Sequence, residues 1–163
     1  MPKTVPCLWF NGEAEQAAEF YCSVFPNSRV VRVQRYPEGS PFPTPFTPGT
    51  PMTVDFELDG QPYTALNGGP EFTFSEATSM QILCADQDEI DHYWEALTAD
   101  GGEESMCGWL KDRFGFSWQV VPTMLTELDS ADPAKEKAVA DAIFRMKKLD
   151  IAELQRAFDS AEA

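Results

Sequence analysis

One order of elements is written twice in this chain of 163 residues, and that repetition limits the fold more than any single motif does. The first half predicts a strand at 4–10, a helix at 13–25, and strands at 28–36, 52–58 and 61–66. The second half predicts a strand at 78–84, a helix at 86–100, and strands at 103–107, 109–111 and 116–121. Each half thus reads strand, helix, three strands, the mark of a duplicated supersecondary unit. A sheet with a helix on one side leaves its other face open to solvent or to a ligand.

Local chemistry supports each element. Ala14, Ala17, Ala18, Tyr21 and Phe25 recur at helical spacing behind Asn11, a candidate N-cap, with Glu13 and Glu15 in the favoured first turn. Val30, Val31 and Val33 make a β-branched run, and Asp59-Gly60 is a hairpin signal. Ile90, Trp94 and Leu97 form the stripe of the second helix, which Gly101-Gly102 stops. Within CGWLKDRFGFSWQVVP (107–122), a turn at Asp112-Arg113-Phe114-Gly115 separates two strands. Phe116, Trp118 and Val120 then fall on one face, and Ser117, Gln119 and Val121 on the other.

Two stretches lie outside the repeat. Residues 37–51 hold six prolines with Phe42 and Phe46 between them, a density that forbids helix or central strand. This is either a plain surface loop or a semi-rigid flap covering a pocket. Residues 134–148 place Ala138, Val139, Ala142, Ile143 and Met146 on one helical face, behind Asp132 and Pro133. Asp150 caps a second helix at 151–160 with Ile151, Leu154 and Phe158. This tail is expected to pack on the domain or on a second subunit.

Charge narrows the partners. With 27 acidic against 12 basic residues the formal charge is −15, which repels nucleic acid and anionic membrane surfaces. No run approaches the roughly 20 apolar residues of a membrane span. The N-terminus, MPKTVPCLWFNGEAEQ, reaches acidic residues too early for a signal peptide, so a cytoplasmic protein is expected. Four scattered cysteines without a CxxC pair fit reduced thiols, and with His92 as the sole histidine a zinc site is not expected.

LWFNGEAEQAAEFY (8–21), FPNSRV (25–30), MTVDFELDG (52–60), TALNGGPEFTF (64–74) and CGWLKDRFGFSWQVVP (107–122) resemble the PhnB-like branch of the vicinal oxygen chelate superfamily. That superfamily includes glyoxalase I, extradiol dioxygenases and bleomycin-resistance proteins; the branch itself is often labelled 3-demethylubiquinone-9 3-methyltransferase. The tail DPAKEKAVADAIFRMKKLDI (132–151) fits the same pattern. The resemblance implies an α+β fold in which paired βαβββ modules, at 1–70 and 78–122, form a curved mixed sheet around a cleft. It implies one domain, a helical extension at 123–163, and a homodimer.

Carrying the superfamily's metal positions over residue by residue places them on Gln119, on Pro6 or Cys7, near Ser79 and near Asn67. None is His, Asp or Glu, so no metal and no cofactor is expected. His92 falls about 200° round the helix from Ile90, away from the buried stripe. Cys7 and Cys107 are read as buried, inert thiols, and Asp112 and Arg113 as shaping their turn. The label of methyltransferase meets no GxG turn after the first strand, where Asn11-Gly12 stands.

What remains is a cleft bordered by Cys7, Trp9, Asn67, Ser79, Gln81, Trp109 and Gln119. Flat rings beside neutral amides suit a small aromatic or planar organic molecule. The alternatives are a metal-dependent isomerase, lyase or dioxygenase-like enzyme with a rearranged site, a quinone-precursor methyltransferase as the family label suggests, and a structural or regulatory dimer whose cleft its own side chains fill. In a further alternative, the tryptophans are simply core.

Overall fold

The first strand pairs in parallel with the last strand of its own half, and this happens twice. The computed structural model describes residues 2–41, 43–128 and 132–161. They divide into two compact units, Met1–Phe74 and Ser75–Ala163, with the boundary inside the connector between the repeated halves. The first unit contains β1 (Cys7–Phe10), α1 (Ala14–Val24), β2 (Arg29–Arg35), β3 (Pro51–Leu58) and β4 (Gln61–Asn67). The second contains β5 (Ser79–Cys84), α2 (Gln87–Thr98), β6 (Glu103–Glu104), β7 (Trp109–Lys111) and β8 (Ser117–Pro122). Three helices follow: α3 (Met124–Glu127), α4 (Pro133–Phe144) and α5 (Ile151–Ser160). The sheets run β1-β4-β3-β2 and β5-β8-β7-β6, the same order in both units, each with one parallel pair.

Alternation sets one face of each sheet against its helix. In the first unit Leu8, Phe10, Val54, Phe56 and Ala65 are buried with Ala17, Ala18 and Tyr21 of α1. In the second, Ile82, Leu110, Trp118 and Val120 are buried with Ile90, Trp94 and Leu97 of α2. Val139, Ala142, Met146, Leu149 and Leu154 form a further cluster in the C-terminal helices, which belong to the second unit.

Asp132 and Asp150 cap α4 and α5 as expected, and Asp86, read as the first residue of the second helix, caps α2; each accepts from a backbone N–H of its first turn. The expected cap of α1 is corrected. Asn67, at the end of β4, takes the role read for Asn11: its Oδ1 accepts from Gly12 N at 2.9 Å and from Ala14 N at 3.0 Å.

Two strands fall well short of the lengths the sequence predicts. The first begins at Cys7, because Pro6 has no N–H for the ladder, although its carbonyl accepts from Thr64 N. β6 stops at Glu104 because, after Ser105 N donates to Trp109 O, Cys107 turns to φ +62 and the tail takes the donors that follow. Cys107 N donates to Met146 O at 2.9 Å, and Gly108 N donates to Lys147 O at 2.8 Å. Lys148 pairs with Asp91 at 2.8 Å, while the Gln87 amide bonds Leu149 O and Ile151 N. These contacts also explain why α4 ends at Phe144, short of the predicted 148.

Within the proline-rich segment, Tyr36 and Thr50 close the base of the loop, and Phe46 stacks on Tyr36 with centroids 5.7 Å apart. Phe46 is therefore anchored to the body of the first unit. Phe42, the other phenylalanine of the expected flap, lies outside the described residues.

Candidate functional site

Register turns the open face of the second sheet into three rows. Ser79, Ser117, Lys111 and Glu103 stand side by side in the first row, and Gln81, Gln119 and Trp109 in the second. Leu83 and Val121 make the third, with Leu83 65% exposed. The face thus grades from charged and hydroxylic, through planar, to apolar. Four residues that the sequence singles out, Ser79, Gln81, Trp109 and Gln119, meet here.

Gln119 is the hub of the middle row. Its Nε2 donates to Ser79 Oγ at 2.9 Å, and its Oε1 accepts from Gln81 Nε2 over a long 3.4 Å. The amide plane of Gln119 is held by the first of these bonds, and Trp109, half-buried, stands next to it across the β7–β8 pair. Ser117 lies beneath, 1% exposed, and its Oγ has no hydrogen-bond partner among the described residues. A buried hydroxyl in that state costs about 1–3 kcal/mol, so an acceptor or donor brought by a ligand would stabilise it. Lys111 forms an ion pair with Glu76, which holds the carboxyl below its ordinary range and the ammonium above it; Glu103 adds to the latter.

The open face of the first sheet carries Cys7 and Trp9 in line with Thr64 and Leu66. Asp55 centres a polar network there, accepting from Arg32 at 2.9 and 3.1 Å and from Thr64 Oγ1 at 3.0 Å. Cys7 is exposed, not buried as expected, and Cys107 is half-buried. Desolvation, and then the charge of Asp55, push the Cys7 thiol above its ordinary range, which leaves it protonated and a poor nucleophile at neutral pH.

Trp9 is clamped. Its Nε1 donates to Gly69 O at 2.9 Å, and Phe72, 64% exposed, meets the ring edge-on at 4.9 Å. A Cβ on Gly68 would lie 2.2 Å from Trp9 Cη2, so the ring lies directly over that glycine. Gly68→Ala is therefore expected to displace Trp9, shift its fluorescence and cost about 1–3 kcal/mol. Gly68 has no positive φ, so the cost resides in the ring contact, and adding Trp9→Phe should recover part of it in a double-mutant cycle.

Asn67 does not join the open face. It is 0% exposed, and besides capping α1 its Nδ2 donates to Pro51 O at 2.9 Å. His92 is exposed on α2, edge-on to Tyr93. Asp112, 2% exposed, accepts from Phe114 N, Phe116 N and Trp118 Nε1 at 2.8, 3.1 and 2.9 Å. Arg113 pairs with Asp100 at 3.3 Å. The turn-shaping reading of Asp112 matches this geometry. Sequence reasoning missed the row of Lys111, Ser117 and Glu103, because only the pairing of β6, β7 and β8 sets these residues side by side.

A profile of the 3-demethylubiquinone-9 3-methyltransferase family matches residues 2–121 of the chain. This chain belongs to that family, the PhnB-like proteins. A solved structure of a PhnB protein from Bacillus cereus, provisionally described as a 3-demethylubiquinone-9 3-methyltransferase, shares 32% identity at a TM-score of 0.66. The match covers 75% of this chain and 100% of that one. The protein PA1353 from Pseudomonas aeruginosa matches at 20% identity and a TM-score of 0.61, over 75% of this chain and 98% of its own. The fosfomycin resistance protein FosX from Listeria monocytogenes shares the fold at 13% identity and a TM-score of 0.53, over 78% and 97% of the two chains. No curated protein matches the sequence. These neighbours support the expected α+β architecture of the vicinal oxygen chelate type.

Two groups implied by the PhnB family's description and fold can be tested against the residues. A divalent ion requires anionic oxygen or imidazole ligands. The expected positions offer the neutral amide of Gln119, the hydroxyl of Ser79, the thiol of Cys7 with its raised pKa, and Asn67, whose amide is already spent. Among the described residues no three of His, Cys, Asp and Glu converge as a metal-holding group. The residues do not fit the ion. A nucleoside-bearing methyl donor bound in the usual manner needs a glycine-rich turn opening onto a free helix N-terminus. In this PhnB-like chain the N–H groups of Gly12 and Ala14 point into the Asn67 amide, so that end of α1 is closed. The residues do not fit this group either.

Proposed function

We propose that this PhnB-like protein binds a small aromatic or otherwise planar organic molecule, without a divalent metal, on the open face of its second sheet. One observation carries the reading: the Gln81–Gln119–Ser79 chain of neutral groups lies beside Trp109, with Leu83 and Val121 as an apolar floor. A ring can lie on the indole and the aliphatic row while the amides meet its polar substituents. Cys7 and Trp9 offer a second partly aromatic surface on the first sheet. The methyl transfer in the family's description is not adopted, because the N–H groups at the start of α1 are taken by the Asn67 amide. Free thiols throughout support a reducing compartment, the cytoplasm, and the family resemblance supports a homodimer.

A panel of aromatic compounds tested by thermal melting checks the proposal. At about a hundred times its dissociation constant a bound member adds about 2.7 kcal/mol, a shift of several degrees. Trp109→Ala and Gln119→Ala should each diminish the shift. A stoichiometric divalent metal in the purified protein, or a panel without a single shift, would refute it.

A further inference from the structure

The polar row of the second sheet has a chemistry that a plain aromatic ring leaves unused. Three neighbouring groups there can donate hydrogen bonds. Ser117 Oγ is buried and unpartnered among the described residues. Ser79 Oγ accepts from Gln119, and its own proton has no acceptor among those residues. Among the described residues the Lys111 ammonium is occupied only by Glu76, a residue of the turn before β5 whose side chain is 61% exposed. Glu76, Lys111 and Ser117, with Trp109, Ser105 and Glu103, border a cavity of about 170 Å³.

We infer that the ligand carries a carboxylate, which replaces the Glu76 carboxylate on Lys111 and accepts from the hydroxyls of Ser117 and Ser79. This rests on the reading that an aromatic molecule lies on this face; it names the group at that molecule's polar end. Exchange explains how an anion is tolerated in a chain of net charge −15. One carboxylate leaves Lys111 as another arrives, so the balance against Glu103, which faces Lys111 across β6–β7, is unchanged. Glu76 is suited to exchange because it is exposed and belongs to no strand or helix. An uncharged carboxamide still offers its carbonyl oxygen to Ser117 but brings no charge to displace Glu76 from Lys111, so the row discriminates by charge. The apolar row at Leu83 and Val121 takes the opposite end of the molecule, so the bound species is amphipathic along the strand direction.

The test compares three acid and amide pairs by calorimetry on the intact protein: 1-naphthoate, indole-3-acetate and cinnamate, each with its carboxamide. At least one acid is expected to bind about tenfold more tightly than its amide, the scale of one charge-assisted contact. Glu76→Gln, which removes the internal competitor, should raise that ratio several-fold, and Lys111→Met should bring it close to one. Equal binding of acid and amide, or a ratio indifferent to Glu76→Gln, overturns the carboxylate inference and leaves aromatic binding standing. If neither member of any pair binds, both fall.

Discussion

Asp112→Ala is expected to lower the stability of the second unit by about 3–5 kcal/mol, the cost of leaving several buried donors unpaired. The carboxylate of Asp112 accepts from two backbone N–H groups of its own turn and from the indole of Trp118. The same residue closes the turn through its backbone, donating to Phe116 O and accepting from Gly115 N, both at 2.9 Å. Alanine keeps the backbone pair and removes all three side-chain bonds. Phe116 N and Trp118 Nε1 are then left in a buried environment, while Phe114 N, half-buried, can turn to water. A loss of this size is a large part of the roughly 5–15 kcal/mol that holds a domain folded. Urea unfolding followed by near-ultraviolet circular dichroism would measure it. Asp112→Asn retains an acceptor for the turn but sets an amide N–H against Trp118 Nε1, so an intermediate loss is expected. If alanine costs less than about 1 kcal/mol, a net contribution expected of one ordinary hydrogen bond, the turn-shaping role of the Asp112 carboxylate fails.

Asn67→Ala should be nearly as damaging in the first unit, by about 2–4 kcal/mol, through the same imbalance between a made and an unmade buried bond. One amide ties three segments together: the turn into α1 through Gly12 N and Ala14 N, β4 itself, and the start of β3 through Pro51 O. The carbonyl of Asn67 also accepts from Tyr36 Oη at 2.6 Å, which fixes the ring that Phe46 stacks on. Alanine keeps that carbonyl and its Tyr36 bond, so the substitution loosens only the Pro51 end of the proline-rich loop along with α1. Hydrogen exchange should show the amides of Gly12 and Ala14 losing protection first. Were Asn67 a ligand contact alone, the variant would lose binding with its unfolding midpoint unchanged, and that result would refute the structural role.

These two residues show how far the sequence could be read. Asp112 sits in the turn whose hairpin logic is local, so its shaping role was legible from Asp112-Arg113-Phe114-Gly115. Asn67 was equally visible as a polar residue after a strand. Its function was not, because the groups it bonds, Gly12, Ala14 and Pro51, lie 55, 53 and 16 residues away in sequence. Lys111 was hidden for a related reason. In a three-residue strand, alternation alone cannot say which neighbours a side chain will have; pairing with Ser117 and Glu103 decides that. The brevity of β6 was also invisible, because it follows from backbone bonds to Met146 and Lys147 in the tail.

Local chemistry determined the repeated strand–helix–three-strand order, the caps of α4 and α5, and the split of Trp118 from Gln119 onto opposite faces. Each of these is set by periodicities of two and 3.6 residues or by turn and cap residues within a few positions. Only the tertiary structure decided that the C-terminal helices belong to the second unit and that Asn67 closes α1. It alone also placed a lysine, and a serine without a hydrogen-bond partner among the described residues, below the amide row. Those outcomes depend on register and on contacts between distant segments, where a shift of one residue would turn every side chain to the other face.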